Sequence, residues 1–308
     1  MKHKSDFCVL ILSHGRPNKV VTVETLKRSG YTGDWYIVLD SFDETKDQYI
    51  EKFGKEHVVV FDKEKAMSAA HTDSMDNFQF HKSILWARQA SIDVAKTLGY
   101  RYFAEFEDDY NFIRWRIGVD GEYSSHKITT DTSYRLLDKI FDAMLDYLIE
   151  TPRLSSICMA QSGDYIGGGN STLAKNQWHR KAMNSWIIDT ERPFDFSGTM
   201  NDDVNAYTKL AMTGTLFLTT GVVALNQAVT QAQASGNADM YKTFGTYVKS
   251  FYSVMGCPSA VKIGTLVSSG KNGKKINLDL FRVHHHVTWN NVAPKILNEK
   301  HRKPRDTE

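Results

Sequence analysis

The chain has 308 residues, 41% hydrophobic and 24% charged, a composition that supports a large folded core and excludes a disordered or collagen-like protein. Its 38 basic and 36 acidic residues leave a net charge of +2, so no global basic excess advertises nucleic acid. Three separated cysteines (Cys8, Cys158 and Cys257), a charged start from Met1 to Asp6 and the lack of a membrane-length apolar run predict a cytoplasmic chain without disulfides.

Phe7 to Leu12 is a continuous apolar run of strand length, as in a parallel strand covered on both faces. Ser13-His14-Gly15-Arg16-Pro17-Asn18 follows, with Gly15 permitting close backbone approach and Pro17 suiting a helix start. Lys19 to Ser29 reads as a helix, Trp35 to Leu39 as a strand ending in Asp40, and Val58 to Phe61 as a strand ending in Asp62. Strand, helix and strand at this spacing make a βαβ unit.

Ser83 to Leu98 has the three-and-four spacing of a helix and stops at Gly99. The aromatic strand that follows ends in Glu107-Asp108-Asp109. Asp131 to Glu150 predicts an amphipathic helix, with Leu137, Ile140, Phe141, Met144 and Leu148 on one face. Leu154 to Met159 and Trp186 to Ile188 read as strands, separated by an irregular segment carrying Gly167-Gly168-Gly169. Asn201-Asp202-Asp203-Val204 opens a helix, Thr215 to Leu225 reads as a strand pair or a strand and turn, and Tyr241 to Met255 as a helix. Ala260 to Val267 and Ile276 to Val283 predict a β-hairpin that delivers His284-His285-His286. Residues 1–297 are read as one domain, with halves dividing near residue 112, and 298–308 as a charged tail.

Three adjacent carboxylates at a strand end repel one another unless a cation lies among them. A hard divalent ion held by carboxylate and phosphate oxygens is the usual answer. The first loop has one glycine where a dinucleotide fingerprint needs three, which argues against a dehydrogenase.

The order of parts resembles the nucleotide-sugar half of GT-A glycosyltransferases. Arg88-Gln89-Ala90 followed by Phe106-Glu107-Asp108-Asp109 is similar to the helix and metal-binding motif of that superfamily, with Glu107-Asp108-Asp109 in place of a strict Asp-x-Asp. The resemblance implies an α/β fold, a GT-A-type, Rossmann-like mixed sheet flanked by helices, with a C-terminal β-hairpin extension. It implies a divalent metal, manganese or magnesium, on Asp109 and Glu107 with His284 and His286, and Asp108 on metal or ribose. Donor contacts fall to Ser13, Arg16, Asp40 and Arg88, with a uridine diphosphate sugar as donor. Asp202 or Asp203 is the expected base, deprotonating the acceptor hydroxyl for an inverting displacement.

The first loop, the Phe106-Glu107-Asp108-Asp109-Tyr110 stretch and His284-His285-His286-Val287-Thr288-Trp289 resemble phage TET-associated glycosyltransferases. That resemblance implies a hydroxymethylated pyrimidine in DNA as acceptor. Lys175, Trp178, Arg180 and Lys181 interleave basic and aromatic residues and are the expected DNA contacts. A glycan acceptor, or a non-catalytic nucleic-acid-binding protein of the same fold, also fits the sequence.

Overall fold

A computed structural model of the chain describes residues 1–69, 73–76, 82–116, 135–161, 164, 170–175, 180–183, 185–227, 243–245, 247–267 and 281–292. Trp178, the triglycine, the hairpin turn and the charged tail lie outside these residues.

An eight-stranded mixed sheet forms the centre, in the order β3-β2-β1-β4-β7-β6-β8-β5. Its strands are β1 (Phe7–Leu12), β2 (Asp34–Asp40), β3 (Val58–Phe61), β4 (Tyr102–Glu107), β5 (Tyr110–Trp115), β6 (Leu154–Gln161), β7 (Ser185–Asp189) and β8 (Leu216–Gln227). Strands β3, β2, β1 and β4 run parallel, and β7 lies antiparallel to both β4 and β6. This is the expected GT-A-type α/β architecture. A separate antiparallel hairpin, β9 (Val261–Val267) with β10 (Phe281–Val287), completes it. The histidine tract therefore lies within β10, not after it.

β1 is buried along its whole length, and its alternation divides the core. Phe7, Val9 and Ile11 face one layer with Phe106, Phe141, Leu145 and Leu148. Cys8, Leu10 and Leu12 face the other with Leu85, Ile92, Phe103 and Trp186. The helix α5 (Leu137–Glu150) covers the first face, and Phe141 packs 5.1 Å from Phe7, ring to ring. The helices α4 (Leu85–Leu98) and α7 (Asp202–Met212) cover the second, through Trp86, Ile92, Val94, Val204 and Tyr207. Gly99 ends α4 in a left-handed conformation, φ 89°, its N–H returning to Ala95 and Lys96 carbonyls.

The remaining described α-helices are α1 (Thr22–Arg28), α2 (Lys46–Phe53), α3 (Lys63–Ser68), α6 (Thr172–Lys175), α8 (Val248–Gly256) and α9 (Trp289–Val292). Among the described residues no helix is long and apolar enough to cross a membrane. The four parallel strands deliver their last residues to one edge of the sheet. That is where an open α/β sheet places ligands. β7 begins at this edge, with Ser185 beside Phe106, so the segment before it, including Lys181, arrives there too.

Candidate active site

The acidic turn is fixed from below by α1. Thr22 Oγ1 donates to the Glu107 carbonyl at 2.6 Å and accepts from the Tyr110 N–H at 3.0 Å. The Val21 N–H donates to the Asp108 carbonyl at 2.9 Å. Thr22 and Tyr110 are almost fully buried, so these bonds form away from competing water. The three carboxylates are thus presented by a rigid turn.

Each acid has a different neighbourhood. Asp108 is fully buried; its Oδ2 accepts from Ser13 Oγ and from Arg16 Nε at 2.8 Å. Its Oδ1 makes no hydrogen bond among the described residues. Burial raises the Asp108 pKa, and the Arg16 charge opposes that rise. Glu107 accepts from Gln227 Nε2 at 2.5 Å and from Arg88 Nη2 at 3.1 Å. Burial raises its pKa as well; Arg88 opposes this, while Asp109, Asp203 and Asp108 reinforce it. Asp109 is 7% exposed at the end of the turn.

Arg88 is the hub. It is buried at 2% exposure and faces three carboxylates: Glu105 Oε1 at 2.5 Å, Glu107 Oε1 at 3.1 Å and Asp202 Oδ2 at 2.6 Å from Nε. The expected contact of Arg88 with a donor diphosphate is therefore replaced by a structural one: all three guanidinium nitrogens already face acids. Glu105, absent from the sequence-derived site, is wholly buried in β4. A lone glutamate in an aromatic strand was the available signal, because a buried carboxylate requires a cation.

Arg88 joins the acidic turn to the first turn of α7. Asp202 is buried, and burial raises its pKa against the pull of Arg88. Asp203 is partly exposed, and its Oδ1 accepts from the Val204 N–H at 2.8 Å. Of the two expected bases, Asp203 is the more exposed. Asn201 precedes them with φ 54°, the left-handed region, which costs a non-glycine residue energy unless its surroundings enforce it.

The donor loop closes onto Asp108 and Asp40. Gly15, at φ 66°, donates its N–H to Asp43 Oδ2 at 2.9 Å, and Arg16 donates its N–H to the Tyr49 hydroxyl at 3.0 Å. Asp40 Oδ2 accepts from Lys63 Nζ at 3.0 Å and pairs with His14 Nδ1 at 2.8 Å, while Oδ1 accepts from the Phe42 N–H. These partners lower the Asp40 pKa although burial acts against them. Asp43, Tyr49 and Lys63 were not legible as site residues, because Asp43 lies on a connection and Tyr49 and Lys63 on the short helices α2 and α3, whose approach is set by the fold.

The expected DNA contacts are rearranged. Lys175 is exposed on the short α6. Arg180 is paired with Asp164, and Lys181 Nζ lies 2.5 Å from His285 Nε2. The pair is thus engaged internally, not displayed as a solvent-facing phosphate strip. The histidine tract divides by burial. His285 is the buried member of the tract, while His286 is exposed over Gly264. Among the described residues no group of three His, Cys, Asp or Glu side chains is gathered as a metal site.

Comparison with known proteins follows the same lines. No curated protein matches the chain by sequence. Solved structures that resemble it include Mycobacterium tuberculosis glucosyl-3-phosphoglycerate synthase, in complex with Mg2+ and uridine diphosphate. It is 11% identical, with a TM-score of 0.42, over 93% of this chain and 89% of that one. S. aureus TarS is 11% identical at a TM-score of 0.42, over 81% of this chain and 65% of that one. The family profile described as TET-Associated Glycosyltransferase matches residues 7–236, well over half of the sequence. That segment contains the donor loop, the acidic turn, Arg88 and the Asp202–Asp203 turn, and the chain belongs to the TET-associated glycosyltransferase family.

Proposed function

We propose that the protein transfers a sugar from a uridine diphosphate sugar to a hydroxymethylated pyrimidine, of the 5-hydroxymethylcytosine type, in phage DNA, with inversion. The observation that carries this reading is the junction made by Arg88. It holds the acidic turn of β4 against the first turn of α7, so a donor-side acid cluster and a candidate base share one edge of the sheet.

The donor side fits a nucleotide. A carboxylate offers about four acceptor positions, and Asp40 has filled three, leaving one for a ribose hydroxyl or the uracil N–H. Arg16, held on Asp108 at 2.8 Å, is the cation assigned to the donor diphosphate.

The residues present also fit a divalent cation. Glu105, Glu107, Asp108, Asp109, Asp202 and Asp203 outnumber Arg16, Arg88 and Lys181, and the buried Asp108 Oδ1 lacks a hydrogen-bond partner among the described residues. Asp109 and Asp108 would hold the ion, and it would neutralise charge on the departing diphosphate. Asp203 takes the proton of the acceptor hydroxyl as that oxygen attacks the anomeric carbon. Asp202, locked to Arg88, keeps Asp203 in place. Family membership and the resemblance in sequence support a DNA acceptor; the internal pairing of Arg180 and Lys181 favours the alternative of a smaller glycan acceptor.

Mass spectrometry of nucleosides from hydroxymethylated DNA, after incubation with the protein, manganese and a panel of nucleotide sugars, tests this. A glycosylated nucleoside is expected with wild type and is expected to vanish with Asp109→Asn or a chelator. Donor hydrolysis without any modified nucleoside would remove DNA as the acceptor. Full transfer in chelator would remove the metal.

A further inference from the structure

The β9–β10 hairpin lies beyond residues 7–236, the segment carrying the family match. It nevertheless reaches the first turn of α7. On β10, Val283, His285 and Val287 share one face and lie opposite Thr265, Ile263 and Val261. At the base of this face Val261 and His285 are buried, while Ile263 and Val283 emerge at 40% and 38% exposure.

The His285 ring lies between two nitrogen donors. Lys181 Nζ is 2.5 Å from Nε2, and Asn201 Nδ2 is 3.3 Å from Nδ1. An imidazolium would aim an N–H at both. The ring is therefore neutral and keeps a lone pair for one of them. Its surroundings agree: burial, then Lys181, His284, Lys249 and His286, push the His285 pKa far below its usual range. Lys181 is pushed down to about 8, first by burial, with Arg180 and Lys249 acting in the same direction and Asp203 and Asp164 against.

Asn201 ties the contact to the site. Its Nδ2 also lies 3.0 Å from the Lys249 carbonyl and 3.1 Å from Ser253 Oγ, both on the helix Val248–Gly256, and its two hydrogens serve two of these three acceptors at a time. The hairpin and that helix thus meet at the amide of the left-handed residue before Asp202 and Asp203.

We propose that His285 is a positioning residue for sugar transfer, holding the Lys181 amine across its ring from Asn201, at the turn that carries Asp202 and Asp203, and so making the C-terminal hairpin part of the active site. The proposal rests on the reading of Asp203 as the base. One amine hydrogen-bonding position is used on His285; the others remain to orient a substrate oxygen at Asp203.

The test compares His285→Ala, His285→Gln, Lys181→Met and the double variant His285→Ala/Lys181→Met. His285→Ala is expected to lower kcat at least tenfold while the donor KM stays within twofold. His285→Gln, whose amide can still meet Lys181, is expected to recover most of that loss. The double variant is expected to be no worse than Lys181→Met alone. A His285→Ala variant within twofold of wild type, or losses that multiply in the double variant, would overturn the proposal. A readout without catalysis separates it from the functional reading: imidazole 15N spectra of the intact protein at pH 5. A neutral His285 resonance that moves in Lys181→Met is expected. A His285 that titrates normally and ignores Lys181→Met overturns the contact. The expected spectrum in a protein that transfers no sugar overturns instead the assignment of Asp203.

Discussion

Replacing Arg88 by methionine tests the frame on which the site is built. The change keeps a long side chain and much of its volume, so the cavity contribution is small. It removes the cation facing Glu105 Oε1 at 2.5 Å and Asp202 Oδ2 at 2.6 Å, acids that are 0% and 3% exposed. Breaking a buried ion pair from one side costs about 3–5 kcal/mol, because the partner charge stays buried. That is between about a fifth and the whole of the stability of an ordinary domain, about 5–15 kcal/mol. The sign of the pH dependence follows. Burial already raises the Glu105 pKa above its unfolded value, with Arg88 opposing the rise. Without Arg88 it rises further, so the folded variant binds more protons than its unfolded chain. Stability then falls as pH climbs through the raised pKa. Urea unfolding at pH 5 and pH 8 should show a larger deficit, relative to wild type, at pH 8. Adding Glu105→Met should recover a good part of it. A deficit below about 1 kcal/mol at pH 8 would refute the hub argument. Intact stability with lost nucleotide binding would return Arg88 to the diphosphate.

Two further outcomes are expected. Thr22→Val keeps shape but strands the Glu107 carbonyl and Tyr110 N–H, so unfolding should become easier by about 1–3 kcal/mol, with weaker manganese-dependent donor hydrolysis; unchanged hydrolysis would show that the turn does not need this anchor. Gly15→Ala meets no atom within 4 Å of the added Cβ, so only the left-handed φ of 66° is penalised, about 1–2 kcal/mol by thermal or urea unfolding; Gly15→Asn should cost less, and equal losses would point to contact rather than conformation.

What could be read in the sequence depended on how local its cause was. β1 was legible because six apolar residues in succession allow little except a strand covered on both faces. Helix α5 was legible from its period, and the acidic turn from charge repulsion alone. Thr215 to Leu225 reads in the sequence as a strand pair or a strand and turn, and Gly221 lies within it. The strand instead runs unbroken from Leu216 to Gln227, and its register against β6 slips between Met159–Thr220 and Ala160–Ala224. The glycine marks an irregularity within a strand, which only pairing with a distant neighbour reveals. The short β5 was missed for the same reason, since its partner β8 lies far along the chain.

The histidine tract shows where alternation runs out. Strand periodicity puts His284 and His286 on one face and His285 on the other, and the structure keeps that division. Periodicity does not say which face is the inner one. That choice is made by Val261 and Ala260, buried where the hairpin leaves the helix Val248–Gly256, and by the Asn201 amide waiting across the gap. The same long-range logic moved Arg88. Its place near the start of a helix before an acidic strand suited a phosphate contact, yet the unpaired charge of Glu105 inside that strand had the prior claim. A site residue is thus assigned more safely by asking first which buried charges must be satisfied. In this chain Arg88 is consumed by that requirement, whereas Asp203, outside the Arg88 ion pairs, retains the exposure that proton transfer needs.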